Sequence, residues 1–347
     1  MSAPVFHGNR LSAYLRFLAG VLYFFAARML ASRVAQSATG EQWSPVVEQL
    51  VLAFLLLVGF SSMGFWLDKQ MHPITEQGLD TRRGWTREAG LGIAVGWGLA
   101  LVPVVILALS GGIATSLTWH LSNFGWFVVY LLYFALTALA EEIAFRGYAF
   151  QSFEHAVGGL GAALGFAAFY AILLAMIPGA SRVSICVGVV FSLVLSAAYL
   201  RTRALWVSWG INFAWKASRA LFFGLAVAGV NTRSPIVQGD PMGSYWLTGG
   251  SFGLDASWLA FAVLLAALPV VFRITEDLNF LHNAPVFEPG GIPVDLDAIA
   301  RSQHEAAMGP ETPAAPTLVQ IQPLAAPPQI PSAPSLPASP SDSHPTR

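Results

Sequence analysis

The hydrophobic positions of this chain fuse into long runs instead of alternating with polar residues at a helix or strand period. Eight such runs, 11–30, 46–67, 89–109, 124–145, 159–177, 184–200, 205–230 and 257–272, are separated by shorter polar connections. About 20 apolar residues in a helix cross the roughly 30 Å hydrocarbon core of a bilayer, and a helix satisfies its own backbone hydrogen bonds there. The pattern therefore predicts an all-α fold, a polytopic membrane helix bundle with about eight transmembrane helices. The first run is longer than the apolar stretch of a secretory signal and carries Arg16 and Arg28, so it is assigned to the membrane as a helix.

From residue 283 onward the apolar pattern stops, and the chain turns to Pro, Ala and Ser, as in 325–337. Such a segment cannot bury enough surface to offset its ordering entropy. Three parts follow: 1–69 with two transmembrane helices, a core over 70–282 with six, and a disordered cytoplasmic tail over 283–347.

Composition agrees with the membrane assignment: 55% of residues are hydrophobic and 11% charged, against about 25% charged in soluble domains. A formal net charge of −1 excludes nucleic acid as a partner; the partner that the runs require is membrane lipid. Cys186 is the single cysteine, which rules out an intramolecular disulfide and a cysteine-based metal site. Basic residues are unevenly spread. Arg10, Arg16, Lys69, Arg82, Arg83, Arg87, Arg201, Arg203 and Arg273 flank the runs on one side, whereas Arg33, Arg182 and Arg233 are on the other. By the positive-inside rule both termini are cytoplasmic, in a multi-pass protein expected in a bacterial cytoplasmic membrane. Trp66, Trp119, Trp126, Trp206 and Trp258 fall near run ends, where an aromatic belt belongs.

Against this apolar background one segment is out of place. Glu141-Glu142-Ile-Ala-Phe-Arg146 closes the fourth run, where a charge at mid-bilayer costs roughly 2.5–3.5 kcal/mol and usually faces a polar site inside a bundle. On a helix Glu142 and Arg146 are four apart and can pair, while Glu141 is turned about 100° away. A buried Glu–Arg pair that only fixes helix register would leave the second carboxylate without a counter-charge, which favours a functional site.

The segment resembles the first motif of the CPBP intramembrane metalloproteases, the family that includes the CAAX prenyl endopeptidases and bacteriocin-processing proteins. Ile74-Thr-Glu-Gln-Gly-Leu-Asp80 with Gly84-Trp85, Ala198-Tyr-Leu-Arg-Thr-Arg-Ala-Leu-Trp206 and Leu247-Thr-Gly-Gly-Ser-Phe-Gly-Leu-Asp255 resemble later family segments in order and spacing. The resemblance implies a metal-assisted hydrolase with Glu141, Glu142 and Arg146 as catalytic residues. It also implies a Phe-x-x-x-His on the fifth helix and a His-x-x-x-Asn or Asp on the seventh. The matching positions here are Phe166-Ala-Ala-Phe-Tyr170 and Asn212-Phe-Ala-Trp-Lys216. Tyr170, Asn212 and Lys216 thus stand where the family has its histidines and final amide.

That departure has a chemical consequence. Neutral imidazole is the commonest nitrogen ligand for zinc; a phenol, an amide and an ammonium are poor substitutes. His7, His282, His304 and His344 are terminal, and His72, His120 and His155 are expected in loops, so no relocated ligand is apparent. Two carboxylates and an arginine sum to −1; a zinc-bound hydroxide would neutralise the family site, and Lys216 adds the same charge. Lys216, one turn after Asn212, is expected to reach Glu141 while Arg146 holds Glu142.

Three functions are compatible with these residues. The first is a CPBP-fold protein with impaired metal-dependent proteolysis, acting as a binding or regulatory subunit toward a membrane-embedded or lipidated peptide or protein. In this reading no metal or other cofactor is expected; zinc is implied only if the family activity is retained. The second is an active endopeptidase whose metal is held by carboxylates, Asn212 and water, a set suited to Mg or Mn. The third is a small-molecule or ion transporter using the same charged cavity. There is no His-Glu-x-x-His helix and no Gly-x-Ser-Gly nucleophile, and Phe252-Gly-Leu-Asp255 is expected in a loop.

Overall fold

A computed structural model describes residues 10–81, 84–117, 120–232, 237–276 and 278, with the backbone alone of 121–122, 286–287 and 293–294. The chain divides into two units, Met1–Pro285 and Val286–Arg347. In the first, the helices are α1 (Arg10–Ala38), α2 (Ser44–Asp68), α3 (Trp85–Leu109), α4 (Leu121–Arg146), α5 (Tyr148–Ala175), α6 (Arg182–Thr202), α7 (Leu205–Ala217), α8 (Tyr245–Thr248) and α9 (Trp258–Ile274). Each of the eight apolar runs contains a helix, and the protein is a nearly all-α polytopic bundle.

Among the described residues, five helical stretches are long and apolar enough to cross a bilayer: α1, α2, α3, the run Asn123–Ala175 across α4 and α5, and α6. α9 is apolar but shorter, at 17 residues. Leu22, Phe54, Leu109 and Leu164 are among many large apolar side chains left exposed, as a surface solvated by lipid tails requires.

Local sequence sets several boundaries. Ser181 opens α6 with a reciprocal capping box to Ser184, and the Ser257 hydroxyl accepts from the Leu259 and Ala260 N–H groups at the start of α9. Gly147 ends α4: its N–H donates to the Ile143 carbonyl, and an added Cβ would sit 2.3 Å from that oxygen. The chain therefore turns at 147, and a helical segment over 148–157 precedes the expected one: non-helical dihedrals at Gly158 break α5, and its second part starts at 159 as the apolar run does.

Two other expectations change. The seventh run was expected to be helical over 205–230, but α7 ends at Ala217 and continues only as a π-helical turn, Ser218–Phe222. Gly224, at φ 63°, takes the chain away, so close to the backbone of Val237 and Gly239 that no side chain fits there. The fold also contains a two-stranded antiparallel sheet, β1 (Ile113–Leu117) with β2 (Val237–Pro241), registered with Ile113 opposite Pro241. It ties the α3–α4 connection to the segment before α8.

α7 is held against α3 by backbone-to-backbone contact. An added Cβ at Gly92 would lie 2.3 Å from the Val207 carbonyl oxygen, one at Gly96 2.4 Å from that of Ile211, and one at Gly210 2.6 Å from that of Ala89. Small residues spaced by four let membrane helices approach this closely. The two largest apolar clusters of the unit gather Val104, Val187, Val194, Ile211, Trp215 and Leu264 in one, and Phe24, Leu56, Phe60, Ile143, Phe150 and Phe166 in the other.

In the second unit the described residues are Val286–Phe287 and Pro293–Val294, paired antiparallel. The rest of the tail, for which disorder is expected, lies outside the described residues. So do Arg82, Arg83, Trp119, Arg233 and the terminal histidines His7, His282, His304 and His344.

Candidate functional site

The last two turns of α4 bring Glu141, Glu142 and Arg146 beside α6 and α7. Glu142 is completely buried and Arg146 nearly so, whereas the Glu141 side chain keeps 29% of its surface open. Arg146 Nη1 donates to Glu142 Oε1 at 3.4 Å, and Nη2 donates to the Ser192 carbonyl at 2.9 Å and to its hydroxyl at 3.3 Å. The arginine thus ties α4 to α6 while neutralising Glu142.

Asn212 and Lys216, one turn apart on α7, face the same carboxylates. Asn212 Nδ2 donates to Glu141 Oε2 at 3.0 Å and to Glu142 Oε1 at 2.9 Å, and Lys216 Nζ forms an ion pair with Glu141 Oε2. The α3 contact makes this possible, because the Gly92, Gly96 and Gly210 approach presses α7 into the bundle and fixes its rotation. Lys216 is buried, not extended to an interface. Removing an ammonium from water costs several kcal/mol, which a direct carboxylate partner offsets.

Tyr170, on α5, stands at the edge of this network. Its ring packs edge-on against Phe145 at 5.4 Å and lies over Gly188 of α6, where an added Cβ would come within 3.0 Å of it. Glu141, Phe145, Arg146, Tyr170, Phe191, Ser192 and Leu195 enclose a cavity of about 10 Å³, room for about one water molecule.

A second buried ion pair adjoins the first. Arg219, in the π-helical turn, is fully buried, 2.8 Å from Asp255 Oδ1, and lies over the Trp215 ring at 4.2 Å. Asp255 also accepts from Trp215 Nε1 at 3.4 Å and from the Ala228 N–H at 3.0 Å. An arginine inside an apolar run, three residues after Lys216, was the available signal for this pair. Ser192 carried none, since a serine in an apolar helix does not announce whose partner it is. Asp255 lies in a 3₁₀ turn, Leu254–Ala256.

The donor set does not fit the zinc that the family resemblance implies. Glu141 Oε2 and Glu142 Oε1 already accept from an ammonium, an amide and a guanidinium, and Tyr170, Asn212 and Lys216 supply no imidazole. Among the described residues no group of three or more His, Cys, Asp or Glu side chains is placed to hold a metal ion. His72 and His120 lie in connections, as expected. His155 does not: it is exposed on the additional helical segment 148–157 that precedes the break at Gly158. The turn at Gly147 separates its helix from α4.

These features define a helical integral membrane protein with a neutral cluster of two carboxylates and two cations buried among α4, α6 and α7. Residues 122–218 match the family model described as Rce1-like, type II CAAX prenyl endopeptidase Rce1-like. The match bears out the resemblance to the CPBP family over a segment that contains Glu141, Glu142, Arg146, Tyr170, Asn212 and Lys216. Comparison with curated proteins and with solved structures gives no significant match.

Proposed function

We propose that this chain keeps the fold of a CAAX-endopeptidase-like membrane protein but has exchanged the metal of its reaction centre for an internal ion-pair network. It acts as a binding or regulatory subunit toward a membrane-embedded or lipidated peptide or protein. The observation that supports this reading is the Lys216 ammonium on Glu141, at the position where the family pattern has a side-chain amide or carboxylate. With Arg146 on Glu142, the two acids have two counter-ions. A carboxylate locked to an ammonium is a weak base for activating water, so impaired proteolysis follows from the same contact. A metal held by Glu141, Glu142 and Asn212 would have to displace Lys216 and leave its charge buried, which opposes an atypical active site.

The reading is tested by elemental analysis of the full-length protein after mild detergent extraction, with and without added zinc. Substoichiometric zinc is expected in both preparations. One tightly held zinc per chain would overturn the proposal.

A further inference from the structure

Lys216 stands one residue before the end of α7, and the chain continues only as the π-helical turn Ser218–Phe222. The last carbonyls of a helix have no intrahelical donor, so its final turn is the one that frays. A counter-ion on a fraying turn does not stay on its carboxylate. In this helix side chains hold the turn: Ser218 Oγ donates to the Ala214 carbonyl, and Arg219 Nε donates to the Trp215 carbonyl at 2.8 Å.

Arg219 is held in turn by Asp255. Its Nη1 is 2.8 Å from Asp255 Oδ1, and its guanidinium lies over the Trp215 ring at 4.2 Å. The same carboxylate oxygen accepts from Trp215 Nε1 at 3.4 Å. Trp215 is therefore fixed twice, at its carbonyl by Arg219 and at its indole by Asp255. Lys216 follows it directly, so the rotation of the turn that carries the lysine is set by this clamp.

Backbone contacts place Asp255 itself. Its Oδ2 accepts from the Ala228 N–H at 3.0 Å, at a residue whose φ of 49° lies in the left-handed region that a side chain disfavours. Gly253, two residues before Asp255, comes so close to Ala226 that an added Cβ would sit 2.0 Å from its carbonyl oxygen. The Gly-rich segment 247–255 is thereby seated on the 226–228 loop, with its carboxylate at the end of α7. Phe252 and Ala256, on either side of that carboxylate, pack with Leu174 of α5.

A buried ion pair adds little net stability over apolar residues of similar volume, and its best-attested use is to fix register. The register fixed by Arg219 and Asp255 is that of the turn carrying Lys216. We propose that Asp255 is a positioning residue: through Arg219 and Trp215 it clamps the end of α7 so that Lys216 stays on Glu141. The inference rests on Lys216 being the counter-ion of Glu141, and it extends the site from the carboxylates of α4 to the segment before α9.

Lysine acetylation tests it, because the chain has two lysines, Lys69 exposed and Lys216 buried. The full-length protein in detergent is treated with N-hydroxysuccinimide acetate, and mass spectrometry reads acetylation of Lys216 against Lys69 as the internal standard. Asp255→Asn is expected to raise that ratio about tenfold, the scale of coupling within one contact network. Asp255→Asn with Arg219→Met strands no buried charge; the same rise is expected, and this variant decides alone if Asp255→Asn fails to fold. Arg203→Gln breaks the pair with Glu154 at the other end of α7 and should leave the ratio unchanged. Glu141→Gln frees Lys216 directly and should raise it at least as far as the Asp255 variants do. A rise with Glu141→Gln and none with the Asp255 variants overturns the positioning role alone, as does an equal rise with Arg203→Gln, which would mark general loosening. No rise with Glu141→Gln removes the counter-ion reading and the positioning role with it.

Discussion

At the scale of single residues, the site is a balance of four charges whose members differ in how much water they keep. Breaking one side of a buried ion pair costs about 3–5 kcal/mol, because the partner stays buried and unpaired. Arg146→Met strands a fully buried Glu142 and removes the donors to Ser192, so the larger loss of thermal stability is expected there. Lys216→Met strands a carboxylate that is 29% open, which places its cost toward the lower end of that range or below. Lys216→Met combined with Glu141→Gln should recover part of the loss, a coupling that a double-mutant cycle in thermal unfolding measures. A silent Lys216→Met would remove the ground for calling the lysine a counter-ion. The i, i+4 spacing made the Glu142–Arg146 pair legible in the sequence. Asn212 and Lys216 were legible only through family resemblance, since helical periodicity within α7 says nothing about which helix it will face. Ser192 was not legible, because its part is played chiefly by a backbone carbonyl.

At the scale of elements, the position of α7 depends on glycines more than on any charged residue. Gly92→Ala places a methyl group 2.3 Å from the Val207 carbonyl oxygen, and the two helices must separate to admit it. Gly98→Ala, on the same helix, meets nothing within 4 Å and gains up to about 1 kcal/mol of helix propensity. Thermal unfolding should therefore show Gly92→Ala destabilised and Gly98→Ala unchanged or stabilised; equal effects would mean that α3 and α7 are not in backbone contact. Gly92 and Gly96 were visible as a four-residue spacing, but a spacing does not name its partner. Long apolar runs made the helices themselves readable. The extra helical segment 148–157, the early end of α7 and the β1–β2 pairing were not, because Gly147, Gly224 and the 113–117 segment act through long-range or backbone contacts that leave no periodic trace.

At the scale of the whole bundle, polar contacts gather many helix ends in one place. Arg16 of α1 pairs with Asp68 at the end of α2. Gln151 donates to the Glu76 carbonyl at 2.6 Å, Trp206 to the Asp80 carbonyl at 2.7 Å, and Arg203 clasps Glu154 with two bonds of 2.8 Å. Arg201 reaches Thr275, beyond α9, at 2.7 Å. The starts of α1 and α3, the ends of α2 and α9, and the α4–α5 and α6–α7 turns therefore share one end of the first unit. That end carries Arg10, Arg16, Lys69, Arg87, Arg201, Arg203 and Arg273, whereas Arg28, Arg33, Arg182 and the buried Arg219 lie toward the other. Basic flanks are retained in the cytoplasm during insertion, so the Glu141–Lys216 network is expected in the cytoplasmic half of the membrane and the β1–β2 sheet on the outer side. Fusions of alkaline phosphatase and of green fluorescent protein, placed after Thr275 and in the turn at Gly111, read this directly. Fluorescence at Thr275 with phosphatase activity at Gly111 is the expected result. The reverse pattern would invert the molecule and place the Glu141–Lys216 network in the outer half of the membrane.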